Sequence, residues 1–121
     1  MNGAGLWWVA LGGAIGSVAR ALASVLIPAG RLPWATLIVN VVGSLLIGWL
    51  IATLTPLGEE KLSTHHFWVV GVCGGFTTFS TFSWQTFEQI QRGHWGAATA
   101  NVFLSVALCL LATWLGWRLA R

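Results

Sequence analysis

Hydrophobic positions in this chain run in long unbroken blocks, and short polar or turn-forming segments separate them. Apolar stretches of about 20 residues match the hydrocarbon core of a bilayer, so each block predicts a membrane-crossing helix. The first runs from Leu6 to Leu26 and ends at Pro28-Ala29-Gly30-Arg31, a turn signal. The second covers Trp34 to Leu54, with Pro33 at its entry, where a missing N–H costs nothing. A polar loop from Thr55 to His66 follows and holds every acid except Glu88. The third covers Phe67 to Ile90 and the fourth Trp95 to Trp117, joined by the turn Gln91-Arg92-Gly93-His94. The pattern therefore predicts an all-α integral membrane protein: one four-helix domain over residues 1–121, with helices at 6–26, 34–54, 67–90 and 95–117.

Within these blocks the polar positions are ordered. Asn101, Ser105, Cys109 and Thr113 recur every four residues, which puts them on one helical face, and Thr36, Asn40 and Ser44 do the same on the second helix. The first helix carries Gly13, Ser17, Arg20 and Ser24 beside a small-residue pair, Gly12 and Gly16. Close helix packing explains the first helix apart from Arg20, because small residues let membrane helices approach. On the second and fourth helices, packing and a solute path compete evenly. Asn40 tips the balance, since a carboxamide in hydrocarbon needs partners or a ligand and its NH2 offers two donors to an anion.

The third helix holds the least hydrocarbon-like segment, GVCGGFTTFSTFSWQ, residues 71–85. Gly71, Gly74 and Gly75 precede Thr77 and Thr78, and Phe76, Phe79 and Phe82 recur every three residues with hydroxyls between them. This pattern predicts a helix break near residues 74–78. Broken helices at membrane depth present carbonyls to cations and amides to anions. The positive edge of a phenylalanine ring offers an anion weak stabilisation without a trapping charge.

Composition confirms the membrane reading and removes several function classes. Hydrophobic residues make up 56%, charged residues 7%, and mean hydropathy is +0.77, where a soluble domain carries roughly a quarter charged residues. The pI of 9.7 rests on six Lys and Arg and does not indicate nucleic-acid binding. Cys73 and Cys109 lie in apolar blocks and predict no disulfide. The first block lacks a basic leader and carries Arg20, which predicts a retained helix. No block centre holds an acid, which argues against a proton-coupled small multidrug transporter. His65, His66 and His94 lack the spacing of a metal or haem site and read as surface histidines, and no nucleophile–base pair or phosphate loop points to an enzyme. A non-transporting membrane subunit is the other alternative, and it would need neither Asn40 nor the glycine break.

Basic residues also bear on topology. Across four spans, Lys61, Arg118 and Arg121 fall on one side, and Arg31 and Arg92, plus Arg20 if it snorkels, on the other. Without a clear Lys/Arg excess the chain is expected to insert both ways, which makes an antiparallel dimer available.

The run GVCGGFTTFSTFSW, with GGAIGSVAR in the first block and WATLIVNVVGSLLIG in the second, closely resembles the Fluc (CrcB) family of fluoride ion channels along the whole chain. The resemblance implies an antiparallel, dual-topology homodimer with two pores in a microbial plasma (inner) membrane, exporting fluoride down its gradient. It implies that Phe79 and Phe82 contact fluoride, that Asn40 lines the pore, and that Ser80, Thr81, Asn101 and Ser105 form a polar track. Arg20 maps to a positively charged vestibule, and the carbonyls of Gly74 and Thr77 to a structural sodium site at the dimer interface. The chain departs from the family at Gln85, where glutamate is usual, with Glu88 one turn later.

Overall fold

The computed structural model describes residues 1–121 and is helical throughout, without a strand. Helix α1 (Gly3–Leu26) starts at Asn2, whose side chain accepts from the Gly5 N–H at 3.0 Å, satisfying a donor that a helix start leaves open. Helix α2 (Trp34–Leu54) begins after Pro33. The segment read as a polar loop is instead wound: a 3₁₀ stretch (Thr55–Lys61), broken at Gly58 with φ 67°, leads directly into helix again at Leu62. Helix α3 (residues 62–76) therefore starts before the expected Phe67. Its middle, His66–Cys73, is a π-helix, a winding that periodicity in sequence does not reveal. Thr77 and Thr78 are extended, and helix α4 (Phe79–Gln91) follows them. At its end the Gly93 N–H donates to Ile90 and the His94 N–H to Gln89, with Gly93 at φ 77°, a reversal that only glycine makes without strain. Helix α5 (Trp95–Leu119) completes the chain.

Two glycine-lined seams hold these helices. A Cβ on Gly12 would strike the Phe67 carbonyl, and one on Gly16 the Val72 carbonyl, while Gly71 and Gly75 face Gly12 and Gly13 across the same seam. Contacts climb together along α1 and α3, so these two helices run in the same direction. On the other side, Gly48 of α2 meets the Thr113 carbonyl, and Gly116 of α5 meets the Leu45 carbonyl. Small residues bring backbones into van der Waals contact, which is the main source of helix association where lipid is as apolar as leucine.

α2 and α3 form a hairpin: Asn40 lies beside Thr78, Gly43 beside Thr77, and Leu50 packs with Val69 and Cys73. Three helical stretches, Gly3–Leu26, Trp34–Gln91 and Trp95–Leu119, are long and apolar enough to cross a membrane. The accessible surface is 7737 Å² for 13.0 kDa, against about 6300 Å² for a compact soluble monomer of that mass. Only seven hydrophobic residues are fully buried, whereas Trp7, Val25, Phe103 and Leu110 are among many large apolar side chains facing outward. This is a multi-pass membrane protein.

Candidate functional site

The site is organised by the break between α3 and α4. A continuous helix would pair the Thr78 N–H with the Gly74 carbonyl. Here it turns to Asn40 Oδ1 at 2.8 Å, and Asn40 Nδ2 donates to the Thr78 carbonyl at 3.1 Å. Asn40 thus satisfies both backbone groups of one residue in the extended segment and keeps one amide hydrogen over. Thr77 turns back: its N–H and its hydroxyl both donate to the Cys73 carbonyl, at 3.0 and 2.8 Å. On the far side of the break, Thr78 caps α4. Its Oγ1 accepts from the Thr81 N–H at 3.2 Å, donates to Thr81 Oγ1 at 3.0 Å, and lies 3.3 Å from Ser80 Oγ. The Gly75 carbonyl receives Arg20 Nε at 3.0 Å.

An open cavity of about 540 Å³ adjoins the break, and Asn40, Gly74, Thr77, Phe79, Phe82 and Ser105 all line it. Phe79 and Phe82 sit with ring centroids 5.3 Å apart, tilted by 50°, and Phe79 is 77% exposed. Cys73, Cys109 and Ser44 also border this space, so Asn40 and Ser44 of the α2 stripe meet Ser105 and Cys109 of the α5 stripe there.

Other expected site residues lie elsewhere. Thr81 borders a second, more polar basin of about 580 Å³ with Gln85, Glu88, Arg31, Arg92 and His94. Ser80 is exposed beside the Thr78 cap. Asn101 is 2% exposed and donates to Thr86 Oγ1 at 2.8 Å, Thr86 donates to the Phe82 carbonyl at 2.8 Å, and Ser105 reaches Asn101 Oδ1 at 3.4 Å. That chain ties α5 to α4 behind the cavity. Thr113 bonds back to the Cys109 carbonyl at 3.0 Å and packs on Gly48, so its place in the stripe is one of packing.

Arg20 is half-buried against the break and does not reach away from it. Glu88 is held by Arg92 at 2.7 Å, one turn away, while Gln85 keeps a buried Oε1 that accepts no hydrogen bond. His66 packs over Gly5, with Nδ1 2.8 Å from where a Cβ would stand, and is not the free surface histidine expected.

The sequence places Thr78 in the break without showing that it caps α4, and it does not mark Thr86 at all. A threonine directly before an amphipathic run is an N-cap signal, and that signal was present at Thr78. Nothing local marks Thr86, whose role depends on Asn101 from another helix.

The chain matches the family described as "CrcB-like protein, Camphor Resistance (CrcB)" over residues 7–117. It is 54% identical over 114 residues to a protein of Paramagnetospirillum magneticum named "Fluoride-specific ion channel FluC", covering 89% of this chain and 88% of that one. Proteins of the same name from Opitutus terrae and Geobacter sulfurreducens are each 47% identical, over 90% and 93% of this chain and 86% and 94% of theirs. The name these relatives carry is that of a channel and not of an enzyme. With the match spanning nearly its whole length, this chain belongs to the CrcB family.

Proposed function

We propose that the chain forms a fluoride-selective channel that works as an antiparallel, dual-topology homodimer and exports fluoride down its electrochemical gradient across a microbial plasma membrane. The observation that carries this reading is the Asn40-held break facing a cavity edged by Phe79 and Phe82, in a chain whose relatives are named fluoride-specific ion channels. Four crossings are supported by helix directions: α1 and α3 run together, while α3 runs against α2. A second copy is supported by the one-sidedness of the cavity, whose Phe79 is largely uncovered within one chain.

Fluoride is small and strongly hydrated, so a narrow dry path must replace its water with donors. The leftover Asn40 amide hydrogen, hydroxyls such as Ser44 and the ring edges of Phe79 and Phe82 are the groups available along the cavity. None carries a full charge, so an anion bound there is also free to leave. The absence of an acid from the centre of any membrane block fits passive conduction better than proton-coupled exchange.

The residues also fit the proposed cation. The turn of the Thr78 N–H toward Asn40 takes away the helical partner of the Gly74 carbonyl, and Gly74 and Thr77 both border the cavity. Neutral backbone oxygens of this kind, contributed by two chains, suit a monovalent ion such as sodium. Its role would be structural, holding two copies in register.

Liposomes containing the purified protein test the main reading. Rapid fluoride efflux with little chloride or cationic-dye movement is expected, and equal passage of chloride overturns it.

A further inference from the structure

The break leaves one carbonyl with an unexpected partner. In an uninterrupted helix the Gly75 carbonyl would accept from the Phe79 N–H, but Thr77 and Thr78 are extended and that register is lost. The Gly75 carbonyl instead accepts from Arg20 Nε at 3.0 Å, across 55 residues of sequence. A carbonyl stranded at membrane depth is costly, and a side-chain donor that reaches it removes that cost.

The glycine seam accounts for how Arg20 arrives there. Gly16 lies against Val72, Gly75 and Phe76, and a Cβ on Gly75 would stand 2.5 Å from the Gly13 carbonyl and 3.1 Å from the Ser17 N–H. Arg20 is one turn beyond Gly16 on the same face of α1. Helical side chains lean toward the N-terminus of their helix, which carries Arg20 back to the level of Gly75. Ser24 bonds back to the Arg20 carbonyl at 3.1 Å.

We propose that Arg20 is a positioning residue for the helix break: through its Nε–H it holds the Gly75 carbonyl, and α1 thereby fixes the turn that Asn40 fixes from α2. This rests on the channel reading for its effect on flux, but the contact itself does not. Two opposed clamps, one on Gly75 ahead of the extended pair and one on Thr78 within it, hold the break from α1 and α2. The donor's position, and not its charge, is the property that matters.

Two substitutions separate these properties. In R20Q the Gln Nε2 sits the same number of bonds from Cα as Arg Nε, so the donor is kept and the charge removed. In R20K the charge is kept but the donor moves one bond farther out and loses its planar fork. R20M removes both. Flux per folded dimer is expected to fall roughly tenfold or more in R20M, the scale of leaving a buried carbonyl without a partner. R20Q is expected to recover most of that loss and to exceed R20K.

The carbonyl resonance of ¹³C-labelled Gly75 is a second readout, expected to shift in R20M and to return toward its original position in R20Q. R20K equal to or better than R20Q in flux, with a Gly75 resonance indifferent to all three changes, overturns the proposal. If R20M does not fold, the comparison of R20Q with R20K decides alone. If the unmodified protein passes no fluoride, the channel reading fails, and the Gly75 resonance still tests the clamp.

Discussion

The carboxamide of Asn40 grips the backbone of Thr78 at both ends, donating to its carbonyl at 3.1 Å and accepting from its N–H at 2.8 Å. An extended residue between two membrane helices would otherwise bury a donor and an acceptor without partners, and asparagine supplies one of each from a single rigid group. Replacing Asn40 by alanine is expected to cost about 2–6 kcal/mol, from stranding two buried backbone groups at about 1–3 kcal/mol each. Thermal unfolding in detergent measures the loss, and an alanine variant as stable as the parent would mean the break supports itself.

Phe79 and Phe82 are suited to test the conduction path because their rings edge the cavity and touch each other at 5.3 Å between centroids. Phe79 is mostly uncovered within one chain, so its truncation removes little intrachain packing. Phe79→Ala and Phe82→Ala are each expected to lower fluoride efflux at least tenfold, a change of about 1.4 kcal/mol in barrier, while the proposed dimer remains on a sizing column. Undiminished efflux per dimer in both variants would remove the rings from the pathway.

Neighbouring glycines on α1 should respond very differently to a methyl group. Gly12→Ala drives a methyl into the Phe67 carbonyl and the Val72 N–H at 3.0 Å, whereas a methyl at Gly13 meets only the Gly71 carbonyl at 4.0 Å. Overpacking of this kind costs typically about 1–3 kcal/mol. Gly12→Ala is expected to lower the unfolding temperature clearly, and Gly13→Ala to change it little. Similar shifts for both would show that the seam yields.

Both orientations are expected in the native membrane, because three basic residues on one side (Lys61, Arg118 and Arg121) against Arg31 and Arg92 on the other, with Arg20 turned to the break, are no clear excess. A cysteine introduced at Arg31, with Cys73 and Cys109 removed, should react with impermeant maleimide from either face. Labelling from one face alone would show a single topology.

Exchange of sodium for a large organic cation is expected to lower both dimer stability and flux if the Gly74 and Thr77 carbonyls hold the ion. A ligand that binds only the folded assembly stabilises it in proportion to its occupancy. Insensitivity of both quantities to sodium would exclude a structural role for it.

Sequence alone determined the features that depend on local composition. Long apolar blocks demand helices in a bilayer, and glycines 71, 74 and 75 ahead of Thr77 and Thr78 marked the break, because chain flexibility and buried hydroxyls are properties of neighbours in sequence. The same local signals raise Asn40 and the run Phe76, Phe79 and Phe82, the family resemblance singles out Phe79 and Phe82, and the structure gathers these two with Asn40 around one cavity. They could not show the π-helix of His66–Cys73, whose hydrophobic pattern is indistinguishable from that of an α-helix. Nor could they show which groups satisfy the break. Asn40 and Thr78 are 38 residues apart, Arg20 and Gly75 are 55 apart, and Asn101 finds Thr86 on a different helix. Those pairings were decided by the tertiary structure, because two glycine seams set how closely the helices approach and which side chain reaches each stranded backbone group.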